Sequence, residues 1–380
     1  MMNLVHIVDN LERGGAQTML RSLVSGLAAR GYRQHMICLN EKVCGQVVES
    51  IRHAGATVEV IGRPRMFTTV GFWQIVLELR RRRPDLVHTA MPWGDLVGRA
   101  AARVAGVRPV VSTVTARYAD KPRLQRMLDR ATAGWADRVV FQSAEIVAFS
   151  IENEGVRPDQ VLCIPNGVEP DDRDRSEAAG RLRREFGRGA RTVIGMVARL
   201  HPQKALGDLI EAFARLDPAA VGARLWLVGG GPERARLATL VKRRGLEGSI
   251  FFAGDRDDVR DWIAAMDLFV HPTHFEGLPL AVLEAMDATR PVIASSVDGL
   301  KGLIHPGVDG WLVPPGDVAA LAGAMRYVMD HPQEAARVAR AGAERVRSEF
   351  TAERVVRSYD VLFRSLVEGR GPAVAASGPR

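Results

Sequence analysis

Short apolar runs alternate with longer stretches of helical spacing along most of the chain. Runs at 3–8, 35–39, 57–61, 85–88, 109–114 and 138–142 have strand length, and helix-spaced stretches fall between them at 15–29, 45–54, 70–82 and 121–136. The pattern repeats in the second half, with runs at 192–198, 224–228, 250–253, 268–270 and 291–295, a helix over 206–216, one opening near Pro279 and a last one over 352–368. Strands separated by helices cannot be joined as hairpins. They predict parallel, doubly wound α/β sheets, with ligands beyond the strand C-termini.

The 380 residues exceed one typical core and suit two domains. The expected division is 1–170, 171–350 and a C-terminal helix with a polar tail over 351–380, the boundary falling in the charged stretch after Val168. No run approaches the roughly 18 apolar residues of a membrane span, and the first residues lack a basic leader, so a cytoplasmic protein is expected. Cys38, Cys44 and Cys163 have neither metal-ligand spacing nor an even count, which argues for reduced packing thiols. The net charge is +8, and residues 60–130 carry 14 Lys/Arg against 5 Asp/Glu. Arg123, Leu124, Arg126, Met127 and Leu128 alternate cations with apolar residues there. That mixture suits an anionic membrane surface as well as it suits a solvated face. No nucleic-acid partner is expected.

Candidate chemistry gathers after the run at 268–270. Glu276 and Glu284 stand eight residues apart, with Pro279 at a helix start between them. Eight helical residues span about 12 Å, too far for the roughly 5–9.5 Å of a glycosidase pair. Two carboxylates so placed can instead hold different parts of one long ligand. Gly277 leaves the backbone open to close approach, and the helix start favours anions. At the exit of 192–198, Arg199 and Lys204 place two cations where they could neutralise a leaving pyrophosphate without a metal. Gly14-Gly15 follows the first strand and Gly229-Gly230-Gly231-Pro232 follows 224–228; neither forms the G-x-G-x-x-G of a dinucleotide site.

The run Phe275-Glu276-Gly277-Leu278-Pro279-Leu280, with Glu284 beyond it, resembles the signature of the retaining glycosyltransferases of family 4, which have the GT-B fold: two Rossmann-like domains facing an interdomain cleft. The resemblance extends through Arg199-Leu200 with Lys204, Gly229 to Pro232, Ile164-Pro165-Asn166-Gly167-Val168 and Gly310 to Asp317. It implies a sugar transferase of glycan or cell-envelope polysaccharide synthesis that uses a UDP- or GDP-sugar, with no cofactor or metal. Arg199 and Lys204 would face the diphosphate, Glu276 the sugar and Glu284 the ribose. Further donor contacts are expected at Gly15, Gly277, Leu278, Gly229, Phe252 and Arg256, and acceptor contacts at His88, Trp93 and Arg117. The acceptor implied is a glycan or a lipid-linked group, at the cytoplasmic membrane face.

Three departures stand out. Arg117 occupies a region where many relatives carry His, Ala205 replaces a usual Gly, and Gly299-Leu300-Lys301-Gly302 lacks the usual Glu. Asp255 is expected to cap a helix. Rival readings are a non-catalytic GT-B subunit that binds a partner, a transferase acting on a soluble small molecule or peptide, and a nicotinamide dehydrogenase.

Overall fold

The computed structural model describes residues 1–41, 43–62, 69–115 and 121–369. The chain divides into two units, Met1–Glu169 with the segment from Ala352 onward, and Pro170–Thr351.

The first unit runs β1 (Met2–Val8), α1 (Gly15–Ala28), β2 (Tyr32–Cys38), α2 (Gly45–His53), β3 (Ala56–Val60), α3 (Thr69–Arg82), β4 (Leu86–Ala90), α4 (Pro92–Ala105), β5 (Val110–Val114), α5 (Arg123–Thr132), β6 (Arg138–Phe141), α6 (Glu145–Glu154) and β7 (Val161–Cys163). Its seven strands lie in the order β3-β2-β1-β4-β5-β6-β7, paired in parallel throughout. Val5, Ile7, Ile37, Val87 and Val110 meet Ile75, Val76, Leu79, Ala101 and Ala102 of α3 and α4 in the core. The order turns back at β1 and β4, so the exits of these neighbouring strands form the natural crevice.

The second unit runs α7 (Ser176–Phe186), β8 (Thr192–Val197), α8 (Leu206–Ala214), β9 (Ala223–Val228), α9 (Arg234–Arg243), β10 (Ile250–Gly254), α10 (Val259–Ala264), β11 (Leu268–His271), α11 (Leu280–Asp287), β12 (Val292–Ser295), β13 (Trp311–Val313), α12 (Val318–Asp330) and α13 (Pro332–Glu349). Its sheet is β10-β9-β8-β11-β12-β13, again parallel, with the reversal at β8 and β11. The last helix, α14 (Ala352–Val367), belongs to the first unit. There a Cβ on Gly26 would come 2.5 Å from Val356, so α1 needs glycine where α14 lies against it.

A buried polar chain explains why α14 docks where it does. Gln34 Nε2 donates to the Val24 carbonyl, which leaves Gln34 Oε1 to accept from His6 Nε2 at 3.1 Å. His6 Nδ1 then accepts from His88 Nδ1 at 2.9 Å, and His88 Nε2 accepts from the Thr113 hydroxyl, itself 2.9 Å from the Tyr359 hydroxyl of α14. A pair of neutral imidazoles satisfies every partner along this chain. Burial pushes His6 down to about 4, and burial together with His6 pushes His88 well below its ordinary value.

This corrects the expectation for His88. The apolar run breaks at residue 88, but β4 continues through Thr89 to Ala90, so His88 is mid-strand and wholly buried. It is a structural histidine and not part of an acceptor wall. Two other boundaries differ: α5 ends at Thr132 and gives way to a tight turn, and the Val161–Cys163 segment pairs as an edge strand before the chain leaves the sheet.

Candidate active site

In the second unit, β8 and β11 pair at Ile194–Leu268 and Gly195–Phe269, so their exit loops are neighbours. The loop after β8 closes in a short helical turn, Pro202–Lys204, whose start is capped by the His201 imidazole accepting from Gln203 N. Gln203 ties this turn to the other loop: its carbonyl accepts from His274 N at 2.9 Å and from the Thr273 hydroxyl at 3.0 Å, and its Nε2 donates to the Phe275 carbonyl at 2.7 Å. Lys204 ends the turn, and Ala205 then adopts a left-handed conformation (φ 45°) from which α8 begins. A β-carbon is costly there, which accounts for the glycine that Ala205 replaces.

These ties bring Lys204 Nζ into an ion pair with Glu276 Oε1. His271 Nε2 lies 3.0 Å from the same oxygen and the Thr273 hydroxyl 3.4 Å from it. Glu276 is only 6% exposed. Burial drives its carboxyl upward, but Lys204 and His271 hold it down at about 2, so it is anionic at neutral pH. Burial lowers His271 despite the pull of Glu276. A neutral imidazole facing a carboxylate must carry its proton on Nε2.

Glu284 sits more than a turn inside α11, whose start is at Pro279, while Glu276 stays in the preceding loop. The Glu284 carboxylate is 3.9 Å from Arg260 Nε. Gly277 is buried, and a Cβ on Gly299 (φ 74°) would overlap the Gly277 carbonyl oxygen, so the loop after β12 closes directly over this backbone. Leu278, an expected donor contact, is 5% exposed and packs into the core.

Arg199 is exposed at the β8 exit and forms no ion pair among the described residues. Beside it the glycine loop is laced to the same exit. Leu200 N donates to the Gly230 carbonyl at 2.7 Å and Glu233 N to the Leu200 carbonyl at 3.0 Å. Gly229 (φ 129°) faces the Ala198 carbonyl too closely for any side chain. Asp255 does not cap a helix, because α10 starts four residues later; its Oδ1 accepts from Gly230 N at 2.7 Å and pins the glycine loop. Phe252 lies half-buried beneath the Arg234 guanidinium, 3.8 Å from its ring centroid. Arg256 pairs with Asp258 at 2.7 Å and leans over Trp262.

In the first unit, Gly15 opens α1 after β1, and Trp93 lies in the first turn of α4 after β4. These strands are neighbours. Trp93 is half-buried against the core, and Gly94 fits because a Cβ there would come 2.8 Å from the Ile7 carbonyl oxygen. Between them Met91 holds φ 69°, with Gln17 Nε2 3.7 Å from its sulfur. Arg117 lies outside the described residues.

The strand exits of the second unit therefore gather Arg199, Lys204, Glu276 and Gly229, with Glu284 and Phe252 on adjoining elements. Reading the sequence missed His271, Thr273, Gln203 and Arg234. Gln203 adjoins Lys204, Thr273 lies three residues before Glu276, and Arg234 stands where a G-x-G-x-x-G pattern would carry its last glycine. His271 gave no signal beyond being polar at the end of an apolar run.

The chain matches the model for glycosyl transferases group 1 over residues 191–331 and that for glycosyltransferase family 4 over residues 13–172. It is 31% identical over 299 residues to the 2-deoxystreptamine glucosyltransferase of Streptomyces kanamyceticus, covering 72% of this chain and 76% of that one. To the lipopolysaccharide core biosynthesis glycosyltransferase LpsE of Rhizobium meliloti it is 27% identical over 359 residues, 93% and 96% of the two chains. Among solved structures it resembles Anabaena HepE in complex with UDP and glucose, with a TM-score of 0.86 at 22% identity over 96% of this chain and 100% of the other.

Proposed function

The chain belongs to the group 1, family 4 glycosyltransferases and is a nucleotide-sugar transferase of GT-B fold; we propose that it transfers its sugar with retained anomeric configuration, without a metal or other cofactor, to a glycan or lipid-linked acceptor. The observation that carries this reading is the convergence of Lys204 and the anionic Glu276 beside the exposed Arg199.

A nucleoside diphosphate laid along the β8 exit would meet Arg199 and Lys204, which stabilise the charge growing on the leaving phosphate. Glu276 would accept sugar hydroxyls and Glu284 the ribose hydroxyls, as a carboxylate can from two donors at once. The glycine loop and Phe252 would border the rest of the nucleotide. Two cations supply the charge that a metal would otherwise bring. Among the described residues, the one His/Cys/Asp/Glu group close enough to hold an ion is His35, Glu59 and Glu78 in the first unit, where Glu78 is already paired with Arg81 and Arg82. UDP is the favoured nucleotide, because the similar HepE structures hold UDP, UDP-glucose, or UDP and glucose.

The membrane part of the reading rests on α5. This helix buries Gln125, Asp129 and Thr132 and exposes Leu124, Met127 and Leu128, the reverse of an ordinary surface helix. Asp129 is held inside by Arg99 at 2.9 Å and Lys121 at 3.0 Å. An apolar face flanked by Arg123, Arg126 and Arg130 suits insertion at an anionic headgroup layer. No helix among the described residues is long and apolar enough to cross a membrane. Peripheral attachment at the cytoplasmic face is therefore proposed.

A thermal-shift screen of UDP-, GDP- and ADP-sugars, repeated with excess chelator, tests the donor half of the reading. One donor class should stabilise the chain equally with and without chelator. A shift that needs Mg²⁺ or Mn²⁺ would defeat metal independence, and no shift with any donor would favour a partner-binding subunit. Cosedimentation with anionic and neutral vesicles over a salt series tests the other half. Binding should be confined to anionic vesicles at low salt, and equal behaviour on both would return α5 to a soluble face.

A further inference from the structure

His271 has no part in the chemistry described so far, yet it occupies the last position of β11 at 1% exposure. Its Nε2 faces Glu276 Oε1 at 3.0 Å. Its Nδ1 is buried with no hydrogen-bond partner among the described residues. An imidazole with one unmatched nitrogen is an unfavourable core residue, so its bond to Glu276 is the contact that gives it a purpose.

The contacts to Glu276 are one-sided. Lys204, His271 and Thr273 all converge on Oε1, and among the described residues none donates a hydrogen bond to Oε2. Thr273 contributes least, because its single proton is also within reach of the Gln203 and Phe275 carbonyls. Lys204 is a shared resource: a diphosphate bound at the same exit draws its ammonium away from Glu276. His271 is then the donor that remains.

We propose that His271 is the positioning residue of the sugar-binding carboxylate: its Nε2–H fixes Glu276 through Oε1, keeps Oε2 turned outward for a hydroxyl of the donor sugar, and holds it there when the diphosphate engages Lys204. The proposal rests on the reading of Glu276 as the sugar ligand. It explains why a strand-end position in an otherwise apolar run is histidine. A Leu or Val there would supply no donor and would leave the carboxylate free to follow Lys204.

The test compares His271→Leu, which removes the donor, with His271→Gln, which restores an N–H, and reads binding of UDP and UDP-glucose by calorimetry, with GDP and GDP-glucose in parallel. The ratio of sugar-nucleotide to nucleotide affinity isolates the sugar contact from folding and from phosphate binding. His271→Leu should lower that ratio about ten-fold with UDP or GDP affinity intact, the size expected for losing one hydrogen bond to a charged group. His271→Gln should recover most of it. An unchanged ratio in His271→Leu, an equal loss of nucleotide and sugar-nucleotide binding, or no recovery in His271→Gln would overturn the proposal. Imidazole ¹⁵N NMR of the unliganded chain reads His271 without any ligand. A single Nε2–H tautomer that changes in Glu276→Gln is expected, and a Nδ1–H tautomer would overturn it. Failure of both nucleotide pairs to bind the wild type would instead count against the donor-site reading itself, leaving the tautomer to decide the role of His271.

Discussion

Replacing Lys204 with alanine strips the buried Glu276 carboxylate of its only cationic partner among the described residues, with side-chain exposures of 17% for Lys204 and 8% for Glu276. Breaking one side of such a pair costs about 3–5 kcal/mol when the remaining charge has nowhere to go. The pH dependence reveals the cause. In the wild type Glu276 is held at about 2 against its ordinary 4.5, so its contribution, about 3 kcal/mol, is fully present above pH 4.5 and lost as pH falls toward 2. Between pH 7 and 4.5 that contribution is flat. Without Lys204, burial dominates and the folded carboxyl rises above its unfolded value, so the variant gains a proton on folding and is stabilised by acid. Urea unfolding of both chains from pH 7 to pH 4.5 should therefore show the largest difference at pH 7, shrinking as pH falls. A difference that stays constant across this range would refute the argument that Glu276 is a buried anion held by Lys204. Activity should fall about 10²-fold or more in the same variant, as for the loss of one charge-stabilising donor.

Arg199→Ala should lower turnover by a similar factor with melting unchanged, because the side chain is exposed; full activity would remove it from the diphosphate site. Glu284→Gln should weaken nucleotide binding several-fold in a calorimetric titration, since an amide oxygen accepts two ribose hydroxyls less well; equal affinity would sink the ribose role. Ala205→Gly should be neutral or stabilising by up to about 1 kcal/mol, relief of the left-handed conformation outweighing the extra chain entropy; a marked drop in Tm would contradict that geometry. His6, pushed by burial from 6.5 to about 4, contributes about 3 kcal/mol that is complete above pH 6.5 and lost as pH falls toward 4. Urea unfolding between pH 7 and 4 should show this loss in the wild type and lack it in His6→Gln.

The alternation of strands and helices was legible because apolar runs and turn residues report local structure directly, and both parallel sheets follow from it. The positions of Arg199, Lys204 and Glu276 at strand exits marked by Pro or Gly, and of Glu284 more than a turn inside the helix that Pro279 opens, could be read from the sequence because these turn residues report local structure. His88 was misplaced for a local reason. Thr89 interrupts the apolar run, yet it is buried and hydrogen-bonded to Asp95 and Ser112, so the strand continues where hydropathy suggests an end. His271 is the converse case. Its role comes from Glu276, five residues on, and from Lys204, which only the pairing of β8 with β11 brings near. The reversed face of α5 was hidden likewise, because its buried Asp129 is satisfied by Arg99 and Lys121, and Arg99 is far away in sequence.

The most direct measurement is the fate of the donor in the active site, followed by ¹H NMR on purified chain mixed with UDP-glucose, GDP-glucose and ADP-glucose in turn, water serving as acceptor. With one of these donors, nucleoside diphosphate should be released and α-glucose should appear first, before mutarotation, with the rate unchanged by chelator and lowered in Lys204→Ala. Release of β-glucose would contradict retention, and the absence of nucleotide release from all three would contradict the assignment of Arg199, Lys204, Glu276 and Glu284 to donor chemistry.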